Sequence, residues 1–508
     1  MATVAAPLPL RARAELERRK RAQKDRAASR SLGPPPVETF QRFVQRQNPT
    51  LLQYEHVPRL VSVGEKIIAG ELDRVMILMP PRYFKSEVYA RLLSSAFLRR
   101  YPRRWVGLGS YGAKLANELS LESRTYFKAD GGALSAGASG KELWRSAEDG
   151  GMWAAGVGGP MLGLGYHLGI VDDPTDPEKA VSPTYQRRFE KWWPGKFLSR
   201  AEPNAAIVVV MQRLGPADPI DFLLRREVGE QTDEAPEFWH VVVCDEVKSN
   251  ERLGRWDGPR GLPPTCTIEE DPREDGAVLS PTRFSQEAVR RKQIAAGPVV
   301  RAAQLQQRPR MLAGDFWKKD WFDVYEDLPR DAFNGGKDWD TAYTKEEHNS
   351  ASAFVESYRG PGKPDEFPIY IHNIDWNWYE FPELVAWMRG QKGPHYVEQK
   401  ATGKSIVQTL RRESISATEV RVDGGDKLAR ASSAQPIVSN RRIRVRRSVL
   451  RQLLEGDRQG LWGVTAEALM SGDGDLDLND AFVQAIHRHT RPRATLDDDL
   501  LSTSHTTI

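Results

Sequence analysis

The sequence predicts a two-part α/β protein, with a mostly parallel, doubly wound sheet first and a second α/β sheet after it. Three observations carry this. Short apolar runs recur between longer amphipathic stretches, the pattern of buried parallel strands with helical crossovers. The alternation is interrupted by a region rich in Pro, Gly and charge over 246–282, and it ends at a linker over 311–334. A fresh set of runs begins near 335. At 508 residues the chain has room for two large domains or about three average ones.

The elements follow in order. Residues 1–36 are a basic arm, helical or disordered: RARAELERRKRAQKDRAASR carries nine basic and three acidic residues before SLGPPP breaks it. The arm is either a solvated tail or a tether to DNA or an assembly partner. Residues 37–310 form the first domain. Its strands are expected at Val75–Met79, Trp105–Leu108, Leu168–Val171 and Ile207–Met211, with helices over Ser86–Arg100 and Ala113–Lys128. The stretch 246–282, centred on LGRWDGPRGLPP, reads as an insertion, and helical patterning returns at Ser285–Gln307. PRMLAGD leads into the linker. Residues 335–492 form the second domain, with strands at Ala351–Ser357, Ile369–Ile374 and Tyr396–Glu398. Residues 493–508 read as a disordered tail.

Composition excludes several classes. Lys and Arg number 73 against 69 Asp and Glu, a net charge of +4, so a histone-like polycation is ruled out while local basic patches are not. Two cysteines, Cys244 and Cys266, exclude a disulfide scaffold and a four-thiolate zinc site, and fit a reducing compartment. Apolar runs such as Ala205–Met211 are far too short to span a bilayer, and the N-terminus lacks the apolar core of a secretory signal. A soluble intracellular protein without membrane partners is expected.

The run VMILM enters PPRYFKSE and then a helical stretch. Strand, tight loop, Lys-Ser and helix is the plan of a phosphate loop, in which backbone N–H groups and the helix N-terminus hold phosphates. Pro81, Arg82, Tyr83, Phe84, Lys85, Ser86 and Glu87 would line it. Lys85 would reach the β/γ-phosphates and Ser86 would ligate Mg²⁺. Phe84 stands where the usual pattern has glycine, so its side chain must point out of the loop. The other reading is a helix N-terminus with an ordinary Lys-Ser pair. GYHLGIVDDP supplies a strand that ends in two acids. Asp172 would hold Mg²⁺ through water, and Asp173 would polarise an attacking water. An Asp-Asp-Pro turn capping the strand is the alternative.

At these residues the chain resembles the large terminase subunit of tailed bacteriophages, the motor-nuclease that packages DNA. LDRVMILMPPRYFKSE is similar to that family's PPRHGKS segment, and SYGAKLANELSLESR to its SYS…LA…LS…R stretch. GIVDDPTDPEKAVSPTYQRRFEKWW, IVVVMQRLGPADPIDFLL and FSQEAVRRKQIAAGPVVRAAQLQQRP resemble its acidic strand, its coupling motif and its motor-to-nuclease joint. The resemblance spans about residues 50–490 in order. It implies an N-terminal ATPase of the ASCE type and a C-terminal RNase H-like nuclease domain. Many relatives carry an Arg between two glycines before the acidic strand; here Leu164 stands there. Arg82, Arg124 and Arg213 are the candidates to replace it, with Arg82 first for a sensing role.

The second domain holds three acidic clusters. Each alone is as compatible with a structural role as with a site. WDTA, VEQKATGKSIVQTLRR and LDLNDAFVQA resemble the family's nuclease motifs. Carried over, Asp340, Glu398 and Asp477 are the expected metal ligands, with Asp480 next and Asp475 after it. Carboxylates gathered from distant sequence can hold two Mg²⁺ or Mn²⁺ ions about 4 Å apart and cut a phosphodiester. Lys400 and Lys404 are placed near the scissile strand, or merely solvated. Asp426, Lys427 and Arg430 resemble the family's DK..RA turn. Arg441–Arg451 holds six arginines, partly alternating with apolar residues. That alternation suggests a β-ribbon whose cationic face, with Arg441, Arg442, Arg444 and Arg446, binds phosphates of any sequence; a charge-protected edge strand is the alternative. Trp376 and Trp378 are candidate base-stacking surfaces.

The resemblance implies an enzyme that hydrolyses ATP with Mg²⁺, moves double-stranded DNA into a procapsid and cuts concatemers. It would work as a ring with a portal protein and a small terminase subunit, in the host cytoplasm. Two other classes stay open: a docking subunit with a degenerate ATP site, and a host repair helicase-nuclease.

Overall fold

A computed structural model describes residues 38–159, 163–180, 183–230, 236–309, 316–342, 350–363, 366–399, 401–421, 427–456, 459–465, 468–469 and 475–490. The basic arm, the C-terminal tail and the start of the linker lie outside the described residues. Two compact units emerge. The first takes in the described residues up to Gln293 and from Val299 to Pro309; the second takes in Ile294–Pro298 and the described residues from 316 onward.

The first unit is built on a nine-stranded sheet. Its strands are β1 (Arg74–Leu78), β2 (Trp105–Ser110), β3 (Leu134–Ser139), β4 (Leu143–Ser146), β5 (Gly151–Gly156), β6 (Tyr166–Asp172), β7 (Ala201–Met211), β8 (His240–Val243) and β9 (Thr267–Ile268). The order is β3-β4-β5-β2-β6-β7-β1-β8-β9, parallel from β5 to β9 and antiparallel at the β3–β4–β5 edge. β1 sits inside, and its residues serve both faces by period two: Val75 and Ile77 join one core with Met79, while Met76 and Leu78 join the other. Helices Val57–Ala69 and Ala113–Ala129 cover the first face, and Pro183–Trp192 and Pro219–Glu227 the second. Burying each Val, Leu or Ile contributes roughly 1.5–3 kcal/mol. The expected strands and helices are present. The helix after the phosphate loop opens as a π-helical segment, Glu87–Leu93, before Ser94–Arg100, an irregularity frequent at functional sites.

The second unit carries a seven-stranded sheet: β10 (Asp323–Tyr325), β11 (Phe333–Asp340), β12 (Ser352–Arg359), β13 (Ile369–Asn377), β14 (His395–Glu398), β15 (Ala417–Val420) and β16 (Ile443–Arg446). The order is β10-β16-β13-β12-β11-β14-β15. β11, β12 and β13 are antiparallel, and β14 and β15 join β11 in parallel. Five strands thus run third, second, first, fourth, fifth, the RNase H-like arrangement. Helix Ala401–Arg412 makes the crossover from β14 to β15 and packs Ile406, Val407 and Leu410 against Trp339, Phe354 and Val397. Helix Asp477–Thr490 packs against β11 and β12. Among the described residues no helix is long and apolar enough to cross a membrane.

The arginine segment differs from its expected form. It is no ribbon: β16 is four residues long and lies between β10 and β13, and the chain then turns into helix Arg447–Glu455. Buried Ile443 and Val445 account for the alternation.

Candidate functional site

In a parallel sheet ligands bind beyond the carboxyl ends of the strands, and in the first unit the polar residues gather there. β1 ends at Leu78 and the loop delivers Lys85 and Ser86 to the start of the next helix. β6 ends at Asp172, and Gln212 follows β7. The Lys85 ammonium is 2.9 Å from Asp173 Oδ2 and 2.5 Å from Gln212 Oε1, with 6% of the residue exposed. The Ser86 hydroxyl donates to Asp172 at 2.8 Å. Burial, then the neighbouring Asp173, pushes the Asp172 carboxyl up to about 7, against the pull of Lys85 and the Ser86 hydroxyl. Asp173 takes a left-handed φ of 42°, and its N–H and C=O bond Val210 and Tyr111. An ammonium, a hydroxyl and two carboxylates at a helix start suit a Mg²⁺-bound polyphosphate. Gln212 belongs to none of the sequence-predicted site residues; its place one residue past a central strand is the signal that could find it.

The loop residues divide by role. Phe84 keeps a φ of 69° and Arg82 one of 71°. The Phe84 ring points out of the loop, tilted against Tyr54 with centroids 4.7 Å apart, and Arg283 lies 4.0 Å over it. Tyr83 is buried and donates its hydroxyl to Glu246 at 3.1 Å, so it offers the loop only its backbone. Pro81 is half-buried and Arg82 exposed. Glu87 binds Arg91 at 2.6 Å and receives the Tyr126 hydroxyl at 2.5 Å, contacts that fix the helix. Of the other arginines expected to stand in for the one replaced by Leu164, Arg213 is buried and paired with Asp218 at 2.8 Å, and Arg124 donates to Gly140 O at 3.2 Å. Leu164 packs against the second core.

In the second unit Asp340 ends β11 and Glu398 ends β14, the neighbouring parallel strand. Asp477 and Asp480 lie one helical turn apart. Asp477 accepts from Ala351 N at 2.9 Å and from Gln459 at 3.0 Å, and burial raises its carboxyl. Ala351 is two residues from Ala353, the register partner of Asp340. Glu398 and Asp480 line a common cavity and are joined by cations: Arg430 is 3.2 Å from Glu398, and Lys427 is 2.9 Å from Asp480. Among the described residues no three acidic, His or Cys side chains form a ready ligand group. Lys427 and Arg430 thus place positive charge beside Glu398 and Asp480. The donors are hard oxygens, the type that Mg²⁺ or Mn²⁺ takes. Asp475 precedes the helix half-buried.

Of the expected DNA contacts, Lys400 and Asp426 lie outside the described residues. Lys404 is exposed on its helix. Arg441 pairs with Asp323 at 2.6 Å, and Arg442 lies 4.5 Å over Phe367. Arg444 donates to the Tyr370 hydroxyl at 3.1 Å, and Arg446 stands 3.5 Å from His372. Trp376 and Trp378 are half-buried on and after β13, while Trp153 and Trp339 are among several tryptophans wholly inside the cores.

No family model matches the sequence, and no curated protein matches it. Among solved structures the chain is similar to the large terminase of a thermophilic bacteriophage in complex with ADP, at 11% identity and a TM-score of 0.46, over 84% of this chain and 97% of that one. It is similar to the large terminase of bacteriophage HK97 at 11% identity and a TM-score of 0.32, over 90% and 96%. It is similar to the zinc-bound large terminase nuclease of thermophilic phage G20c at 14% identity and a TM-score of 0.19, over 27% and 84%. These three solved structures are large terminases of bacteriophages, one of them the nuclease part.

Proposed function

We propose that this chain is a large terminase subunit, the ATP-driven motor and nuclease of a viral genome-packaging assembly. The observation that carries the reading is the convergence of Lys85, Ser86, Asp172, Asp173 and Gln212 beyond the ends of β1, β6 and β7. Lys85 would leave Asp173 for the β/γ-phosphates. Ser86 and Asp172 would hold Mg²⁺, and the freed Asp173 would orient the attacking water. Arg82, exposed on the loop, would sense the nucleotide or the neighbouring subunit of a ring. In the second unit Asp340, Glu398 and Asp477, with Asp480, would hold Mg²⁺ or Mn²⁺. The divalent ion neutralises charge that builds on phosphate oxygens when a phosphodiester is cut. Lys400, Lys404 and Arg441, Arg442, Arg444 and Arg446 would grip the duplex through its phosphates. Portal protein, small subunit and procapsid are the partners this reading requires, in the host cytoplasm.

The test is DNA-stimulated ATP hydrolysis by the purified chain with portal and procapsid. Lys85→Ala is expected to lower it at least ~100-fold, since a preorganised phosphate cation stabilises the transition state by several kcal/mol. Absence of any hydrolysis in the unaltered chain would overturn the reading. Leu164, in place of the glycine-flanked Arg, favours a second reading, a docking subunit with a degenerate site. Calorimetry separates the two: nucleotide binding equal in the unaltered chain and Lys85→Ala supports the second. Unwinding of forked DNA would point instead to a repair helicase-nuclease.

A further inference from the structure

The loop between β1 and its helix contains no glycine, yet Arg82 and Phe84 occupy the left-handed region, at φ 71° and 69°. An L side chain is disfavoured there, so the conformation persists only when surroundings over-determine it. Those surroundings come from both sides of the loop in sequence, Tyr54 and His56 before it and Glu246, Arg283 and Lys292 after it. Arg283 Nε donates to the Arg82 carbonyl at 2.5 Å, across 201 positions of sequence. Its guanidinium lies 4.0 Å from the Phe84 ring centre and 5.7 Å from that of Tyr54. Residue 83, between the two strained ones, is fastened as well. His56 donates to its carbonyl at 2.8 Å, and its hydroxyl bonds Glu246, which is wholly buried and paired with Lys292 at 2.6 Å. None of these contacts involves Lys85, Ser86, Asp172 or Asp173.

We propose that Arg283 is a positioning residue for nucleotide binding: it clamps a glycine-free phosphate loop in the backbone shape that glycine adopts unaided. Phe84 is the other half of the clamp. A ring in place of glycine loses conformational freedom but offers a face on which a cation can rest. The clamp deepens the nucleotide-site reading above and rests on it.

The experiment uses the full chain with Arg283→Ala, Arg283→Lys, Phe84→Gly and the Phe84→Gly/Arg283→Ala pair. Hydrogen exchange of the amides of residues 82–86 is followed without nucleotide, with the amides of β1 and β7 as the folding control. Affinity for Mg²⁺-ADP is measured by calorimetry. Arg283→Ala is expected to speed loop exchange and to weaken ADP about tenfold, the scale of one half-exposed cation–π contact together with a charged bond to a carbonyl. Arg283→Lys, which keeps the charge, should lie between. In the Phe84→Gly background, loss of Arg283 should change affinity less than about threefold, because glycine at 84 needs no clamp and only the bond to the Arg82 carbonyl is then lost. Unchanged exchange in Arg283→Ala overturns the proposal. So does an equal affinity loss in both backgrounds, which would mean that Arg283 touches the nucleotide itself. Should Arg283→Ala fail the folding control, Arg283→Lys and the double variant decide on the same criteria. Faster exchange in a protein that never binds ADP would leave the clamp standing and sink the nucleotide reading.

Discussion

At position 84 the backbone has the φ of a glycine and the side chain of a phenylalanine. The sequence shows the substitution and requires the ring to leave the loop. It does not show where the ring goes, because Tyr54 and Arg283 come from distant stretches. Lys85, Ser86, Asp172 and Asp173 could be marked as candidates because each sits in a local strand–loop–helix pattern; Gln212 has only its place one residue past a central strand, and Glu246 and Arg283 carry no local mark. His56 belongs to the same group. It is 5% exposed, its Nε2–H serves the Tyr83 carbonyl, and burial holds its pKa down to about 4. The folded pKa is below the ordinary 6.5, so the unfolded chain binds the extra proton between pH 6.5 and 4. Its contribution to stability is present above pH 6.5 and lost as pH falls through about 4, at most about 3 kcal/mol. Melting of His56→Gln against the unaltered chain should show a difference that shrinks from about pH 7.5 to about 4.5; a constant difference would contradict this.

Among the elements, long runs with clear periodicity were the legible ones. β1, β6 and β7 are apolar throughout because both their faces are covered. β3 and β4 are short and antiparallel at an edge, and LSAGAS and LWRS carry little apolar pattern. β16 misled for the opposite reason: Ile443 and Val445 alternate with arginines because only one set faces the core, whatever the neighbours on either side. Helix Asp477–Thr490, which bears two of the acids, is anchored at its far end. Arg488 is buried and pairs with buried Asp338 at 2.9 Å, with further bonds to Ser357 and the Asn334 carbonyl. Arg488→Met would leave Asp338 in the core without its counter-charge, at a cost of about 3–5 kcal/mol. Burial pushes Asp338 up to about 6 even with its partner present. Its carboxyl can therefore take a proton in mild acid. The loss in melting temperature should be larger at about pH 8 than at about pH 5; the reverse order would show that the pair is not what anchors the helix.

For the whole molecule, the two units have separate sheets and separate cores. No strand of one sheet belongs to the other. Two activities that rest on different units should then respond to mutation independently. Asp340→Ala in the full chain is expected to abolish Mn²⁺-dependent plasmid cutting and to leave ATP hydrolysis within about twofold, since sites on separate cores without shared partners behave additively. Paired nuclease and ATPase assays check this, and joint loss of both activities would contradict it.

The sequence by itself determined the α/β class of both sheets, the strand–loop–lysine–helix segment and the acids that end β6. These are local patterns, set by side-chain period and by backbone sterics within a few residues. Tertiary structure alone decided that Gln212 meets Lys85, that Arg283 meets Phe84, and that Arg430 stands between Glu398 and Asp480. Such contacts depend on which strands neighbour in the sheet and which segments fold back across it. Short-range pattern carries no record of that order, because many strand orders satisfy the same burial.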